Sequence, residues 1–387
     1  MTLTLPIGFR AAGVGAGLKG NGALDVGLLV SNTPCVAAGV FTRNLVRAAP
    51  VVVSQAHLFE NAEAFSGVVL NSGCANAVTG NAGHRDALAM CELAARATGA
   101  RPDSFFVLST GLIGKPLPMD RVSEGIHACA KSLAAEGGLA FARAMMTTDT
   151  REKWTQCDAH GARFVGFAKG AGMIHPDMAT LLSVLVTDAV VTPCVLQEAL
   201  KGAVDETFHA LTIDGDTSTN DAVVVLANGR SGKAMSPAAL QEALVALCRP
   251  LAKAIVSDGE GVHHVVALTV EGTATPDDAR RIGRTVGTSL LVKTAVFGRD
   301  PNWGRILAAA GRSGIDFAHD ACSLTLCGTL VLEQGSPVPF DKSAVSRAMG
   351  AKEWTGTLRV GSGPGRATVW FSDLSNDYVR LNSEYST

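Results

Sequence analysis

The sequence predicts a layered α/β protein, and three observations carry that reading. Apolar runs of strand length recur along the chain, as at 181–186 (LLSVLV) and 222–227 (AVVVLA). Between such runs lie segments with apolar residues at helical spacing, such as Val122, Ile126, Cys129 and Leu133. Three hydroxyl–proline pairs, Thr192-Pro193, Ser236-Pro237 and Thr275-Pro276, each put a capping side chain before a proline at a first helical position. Helices alternating with strands bury their apolar faces best as stacked layers.

Taken in order, residues 23–53 read as three short strands broken by turns: ALDVGLLV, CVAAGVFT and AAPVVVS. A further strand is expected at 66–70 and another in FFVLS, with helices near 84–98 and 120–135. Strands near 163–168 and 181–187 flank a glycine-rich loop. Each of the three proline-initiated helices should run for roughly 12–18 residues. Strands are expected at 222–227, 264–271, 323–332, 356–360 and 366–371. The length of 387 residues suits two domains or one large layered one. The strongest candidate boundary is the loop at 170–180, and a softer one lies near 272–290.

Composition excludes several classes of function. Hydrophobic residues make up 47% of the chain and charged residues 18%, the balance of a folded globular protein. The net charge of −2 and the lack of interleaved basic and aromatic residues argue against nucleic acid. No apolar stretch approaches a membrane span, and MTLTLPIGFR lacks the pattern of a signal peptide. The nine cysteines form no CxxC pair and sit mostly in apolar surroundings, as reduced core thiols of a cytoplasmic protein would. Residues 15–20 (GAGLKG) match GxGxxG but lead into a strand, whereas a dinucleotide site needs a helix there. His263 and His264 are adjacent in a strand and point to opposite faces, so a structural role is expected rather than a metal site.

The chemistry concentrates in 169–186, KGAGMIHPDMATLLSVLV. By pattern alone this is a glycine-rich loop entering a core strand. The alternative reading uses the hydroxyl of Thr180. A threonine hydroxyl is a weak nucleophile without a neighbouring base. A cut between Ala179 and Thr180 would create that base, because a free α-amine has a pKa near 7.7–8.0. Nucleophile and base would then share one residue.

The segment KGAGMIHPDMATLL closely resembles the self-cleavage motif of the ornithine acetyltransferase family, also called glutamate N-acetyltransferase. NSGCANAVTG (71–80), STGLIGKPLPM (109–119), MTTDT (146–150) and DTSTND (216–221) resemble further family signatures in the expected order. So do SDGEG (257–261), KTAVFGRDPNWGR (293–305) and YVRLNSEYST (378–387), and together the motifs cover the chain nearly end to end. One departure is Cys74, where the family pattern leads us to expect a polar residue such as asparagine.

The resemblance implies an α-β-β-α sandwich of N-terminal-nucleophile type with a smaller C-terminal α/β lobe, here from about 272. It implies an α chain of residues 1–179 and a β chain of 180–387, assembled as dimers of αβ units or larger forms. Thr180 would be the nucleophile, with the Thr110 hydroxyl and the Gly111 N–H as oxyanion donors. Thr147, Lys169, Thr180, Glu260, Asn382 and Thr387 occupy family substrate positions. Asn302 and Trp303 are also family signatures, to which no catalytic role is given. The activity implied is transfer of acetyl from N2-acetylornithine to glutamate in cyclic arginine biosynthesis. No cofactor or metal is required, and acetyl-CoA enters only as a substrate of a bifunctional variant. The competing readings are a self-processing aminopeptidase of related fold, a secondary-metabolism paralogue with the same chemistry, and a non-catalytic small-molecule binder.

Overall fold

The computed structural model describes residues 2–20, 22–175 and 181–384. The first half comprises β1 (Phe9–Val14), β2 (Val26–Phe41), α1 (Ala49–Asn61), β3 (Phe65–Cys74), α2 (Gly80–Thr98), β4 (Phe105–Leu112), α3 (Met119–Lys131) and α4 (Gly138–Met145). There follow β5 (Lys153–Ala159), β6 (Ala162–Lys169), β7 (Leu182–Thr187), α5 (Pro193–Glu206), β8 (Leu211–Thr212), β9 (Ala222–Ala227) and α6 (Pro237–Ser257).

Four layers arise because β2 crosses between two sheets. Its first half pairs with β1 on one side and β3 on the other, and β3 pairs in parallel with β4. Its second half pairs with β9, which continues through β7 and β6 to β5. The two sheets face each other across one apolar core, built from residues such as Leu29, Val68 and Leu70 on one side and Val165, Val184 and Val224 on the other. Because side chains alternate along a strand, the opposite faces are apolar too. Val69 and Val107 pack under α2 and α3 against Met90 and Ile126. Phe164, Leu185 and Val225 pack under α5 and α6 against Leu200 and Leu244. The result is helix, sheet, sheet, helix: the α-β-β-α sandwich.

The last third of the chain adds a smaller sheet and its own core. It contains β10 (Val265–Thr273), α7 (Pro276–Gly287), α8 (Leu290–Phe297), α9 (Trp303–Gly311), β11 (Ser323–Leu326), β12 (Thr329–Glu333), β13 (Ser336–Pro337), α10 (Lys342–Ala348), β14 (Glu353–Arg359), β15 (Gly365–Ser372) and α11 (Asn376–Glu384). The strand order is β13-β12-β11-β14-β10-β15-β8, so the short β8 stitches the sandwich to this lobe. No helix among the described residues is long and apolar enough to cross a membrane.

All three hydroxyl–proline pairs start helices. Thr275 forms a full capping box with Asp278, and Ser236 accepts from the Ala239 amide. Four expectations need correction. AAPVVVS is not a strand but the start of α1, with Pro50 in its first turn. The two strands expected within 23–42 are the single β2, which serves both sheets. Residues 323–332 are a hairpin, turned by Cys327 and Gly328 at φ of 49° and 80°. The helix α6 also outruns the expected length, at 21 residues, and tolerates Pro250 inside it. GAGLKG is the β1–β2 connection, where the buried Asp25 carboxylate accepts from the Ala16, Leu18 and Lys19 amides. His263 and His264 face Asp377 and Asp373 respectively. All nine cysteines are free thiols, most of them buried.

Candidate active site

A cavity of about 260 Å³ opens where the strand ends of both sandwich sheets meet the C-terminal lobe. Thr110, Gly111, Thr147, Lys169, Glu260 and Asn382 all line it, although they come from positions spread over most of the chain. Ala179, Thr180 and Thr387 lie outside the described residues. The flanks of the proposed cut are described: β6 ends at Lys169 and β7 begins at Leu182, and these two residues are direct antiparallel partners.

Thr110 and Gly111 sit at the end of β4 and are held by a buried amide network. Asn220 donates to the Ser109 carbonyl at 2.9 Å and to the Ala75 carbonyl at 2.6 Å. Ser109 donates to Asn71 at 2.6 Å, and Asn71 donates to the Cys74 carbonyl at 2.8 Å. Gly111 has φ of 126°, and a Cβ there would lie 2.4 Å from the Gly73 carbonyl carbon. Only glycine fits that backbone. Cys74 is buried in the same corner, and its thiol faces the Lys115 carbonyl at 2.9 Å, so the departure from a polar residue keeps a polar contact.

The Lys169 ammonium donates to the Thr110 hydroxyl oxygen at 3.2 Å. That hydroxyl then has its own proton left to donate into the cavity. Burial pushes the Lys169 pKa down, against the opposing pull of Asp149.

Below Lys169 lies a buried ion triad that the sequence reading missed. Lys153 is 2.5 Å from both Asp149 and Asp258, with all three side chains almost wholly enclosed. Asp149 also accepts from the amides of Thr147 at 2.9 Å and Gly170 at 2.8 Å. Asp258 accepts from the Thr150 amide at 3.1 Å and from its hydroxyl. Burial alone would raise the Asp149 pKa, but Lys153, Lys169 and the Gly170 amide hold it at about 2. The triad thus ties together MTTDT, KGAG and SDGEG, three of the motifs. Asp149 and Asp258 stood inside those motifs, whereas Lys153 lay outside any of them.

The floor of the loop is set by two further carboxylates. Asp214 accepts from the Met173 amide at 2.6 Å and the Ile174 amide at 2.7 Å, holding Met173 at φ of 56°. Burial raises the Asp214 pKa, opposed by those same backbone donors. The Glu260 carboxylate lies against Gly172, where a Cβ would come within 2.4 Å of Oε2. A side chain at 172 would therefore push the Glu260 carboxylate out of its place. The C-terminal helix α11 closes the cavity: Asn382 donates to Glu260 at 3.0 Å and the Tyr378 hydroxyl reaches Asp214 at 3.4 Å. Asn302 and Trp303 lie elsewhere. Asn302 caps α9 by accepting from the Arg305 amide, and Trp303 packs on the core of the lobe.

The chain matches the ArgJ family over residues 10–387. The arginine biosynthesis bifunctional protein ArgJ of Symbiobacterium thermophilum is 49% identical, with all of this chain and 98% of that protein aligned. The protein of the same name from Dehalococcoides mccartyi is 45% identical, over all of this chain and 97% of its own length. The crystal structure of the arginine biosynthesis bifunctional protein argJ from Bacillus halodurans superposes with a TM-score of 0.50 at 36% identity. It covers 51% of this chain and 96% of the crystallised one.

Proposed function

Since the chain belongs to the ArgJ family, it is an acetyltransferase of arginine biosynthesis, and we propose that it moves acetyl from N2-acetylornithine to glutamate through an ester on Thr180. The observation that carries the mechanism is the convergence of Thr110, Gly111, Lys169 and Glu260 on one cavity at the mouth of β7.

In this mechanism the Thr180 hydroxyl first attacks the Ala179 carbonyl, and water then releases residues 1–179 from residues 180–387. The two products stay together because β6 and β7, on either side of the cut, are paired through six residues of antiparallel ladder. The Bacillus halodurans chain, about half the length of this one by its coverage, supports a cut near the middle.

In turnover the freed α-amine takes the hydroxyl proton as Thr180 attacks the acetyl carbonyl. The Thr110 hydroxyl and the Gly111 N–H meet the developing oxyanion, worth about 3–4 kcal/mol per donor at a dry, preorganised site. Ornithine leaves, and the amine of glutamate takes the acetyl group in the second half of a ping-pong cycle. Lys169 meets a substrate carboxylate and Glu260 a substrate ammonium, with Thr147, Asn382 and Thr387 completing the pocket. No cofactor takes part. The name shared by the relatives calls them bifunctional, and the second activity proposed here is acetylation of glutamate from acetyl-CoA. Paired αβ units belong to the same reading.

The test is the intact mass of the denatured protein with and without N-acetylornithine. Two chains split at Ala179/Thr180, with acetyl gained on the 180–387 chain, are the expected result. A single uncut chain in an active preparation overturns the mechanism. Two chains without an adduct point instead to water as the acceptor. Turnover of glutamate with acetyl-CoA alone reports the second activity.

A further inference from the structure

Self-cleavage and turnover cannot share a base. In the uncut chain the Thr180 nitrogen is an amide, with no basic lone pair to take the hydroxyl proton. The shift from amide to ester also needs that proton delivered to nitrogen before the C–N bond can break. A group that can both take and return a proton is therefore required before the α-amine exists.

Most titratable groups around the cavity are already committed. Asp149 is spent on Lys153 and two amides. Asp214 is spent on the Met173, Ile174 and Asp216 amides. Glu260 is held by Asn382, and Lys169 donates to Thr110. Asp221, the last residue of DTSTND, is different. It lines the cavity, is 2% exposed, and its Oδ2 is a buried oxygen with no hydrogen-bond partner among the described residues. Leaving such an atom unmatched is costly, so its retention points to use.

Its position is set by the sheet. β7 and β9 run parallel with Leu182 opposite Ala222, and the Ala222 amide donates to the Leu181 carbonyl at 3.0 Å. Asp221 therefore stands beside Leu181, and the Leu181 amide and Ser218 face its carboxyl. The Leu181 nitrogen is bonded directly to the carbonyl carbon of residue 180. Burial raises the Asp221 pKa well above the usual carboxylate range, opposed by Ser218, the nearby Lys169 charge and the Leu181 amide, which brings proton uptake and release closer in energy.

We propose that Asp221 carries the proton of the self-cleavage step. Its free Oδ2 takes the proton from the Thr180 hydroxyl as Oγ1 bonds to the Ala179 carbonyl carbon. It returns that proton to the Thr180 nitrogen as the C–N bond breaks. The ester formed is then hydrolysed by water, which restores the Thr180 hydroxyl and leaves Ala179 with a carboxylate. The inference rests on the self-cleavage reading above.

The experiment follows cleavage of freshly synthesised full-length chain by intact mass, for wild type, Asp221→Asn, Asp221→Glu and Asp221→Ala with and without added formate. The expected result is an Asp221→Asn chain cut at least about 100-fold more slowly than wild type, within the range for loss of a positioned acid–base group. Asp221→Glu should recover part of the rate, and formate should restore cleavage to Asp221→Ala in a saturable manner, which only a folded chain can show. Cleavage of Asp221→Asn within a few-fold of wild type, or no response of Asp221→Ala to formate, overturns the proposal. A wild-type chain that stays whole is a different result, since it overturns the self-cleavage reading itself and this inference with it.

Discussion

The Lys169 ammonium and the Thr110 hydroxyl are 3.2 Å apart, with the lysine donating. The pair joins the end of β6 to the end of β4, one strand from each sheet of the sandwich. Because the hydroxyl oxygen accepts from a cation, its proton is aimed elsewhere, and the cavity is where an oxyanion would form. Thr110→Ala should therefore lower kcat by about 100- to 1,000-fold with a smaller change in KM, as loss of one oxyanion donor does. Steady-state kinetics on N-acetylornithine and glutamate check this, and an unchanged kcat would remove Thr110 from the mechanism.

Lys153 is the only cation in contact with both Asp149 and Asp258 among the described residues. Lys153→Met leaves two buried carboxylates facing each other, and breaking a buried ion pair from one side costs about 3–5 kcal/mol. Chemical denaturation should show a loss of that order, together with impaired turnover, because Asp149 also holds the Thr147 and Gly170 amides. A variant with wild-type stability would show that the triad is not needed for the fold.

Acid should weaken the fold in a window set by Asp149. Its folded pKa of about 2 lies below the ordinary value of 3.8, so the ionised form is the one the fold favours. Its contribution, about 2–3 kcal/mol at 1.36 kcal/mol per unit, is present above pH 4 and is lost as pH falls toward 2. Denaturation midpoints across that range check the sign, and Asp149→Asn should flatten the dependence there.

Asp221 works in the opposite direction. Its raised pKa means that the folded state holds a proton longer than the unfolded chain does, so this residue lowers stability as pH rises above the ordinary carboxylate range. Asp221→Asn should therefore melt higher than wild type at pH 8, with the difference shrinking toward pH 4. A group kept at a cost to stability and needed for chemistry is the usual trade at a reactive site. Equal melting temperatures at pH 8 would contradict the sign.

The helix α11 has no buried residue, and Asn382 and Tyr378 reach the cavity carboxylates through single polar contacts. Deleting residues 382–387 should leave the melting temperature within about 2 °C while reducing kcat/KM at least about tenfold, since few apolar contacts are lost but the cavity loses a wall. Normal turnover in the truncated chain would show that the tail plays no part.

How much of this was legible beforehand depended on the range of the interactions. The helix starts at Pro193, Pro237 and Pro276 were readable because a proline in the first turn acts locally, although only Ser236 and Thr275 also cap through their side chains. The strand at 222–227 was readable because six consecutive apolar residues suit a strand buried on both faces. AAPVVVS misled because β-branched residues favour strands in isolation, while tertiary packing put them in α1. The candidate site positions were legible only as a series of motifs in order, since Thr110, Lys169 and Glu260 line one cavity from distant points of the chain, and the Lys169–Thr110 contact alone spans 59 residues.

By itself, then, the sequence determined the alternation of helices and strands, the family, and the motifs in which the candidate site residues stand. Those follow from local propensity and from residue identity. Only the tertiary structure decided that β2 serves both sheets, that Lys153 neutralises two carboxylates from different motifs, and that Asp221 keeps an unmatched oxygen beside β7. Each of these depends on which strands lie side by side and on what water can no longer reach, and burial and register are properties of the folded chain rather than of any segment of it.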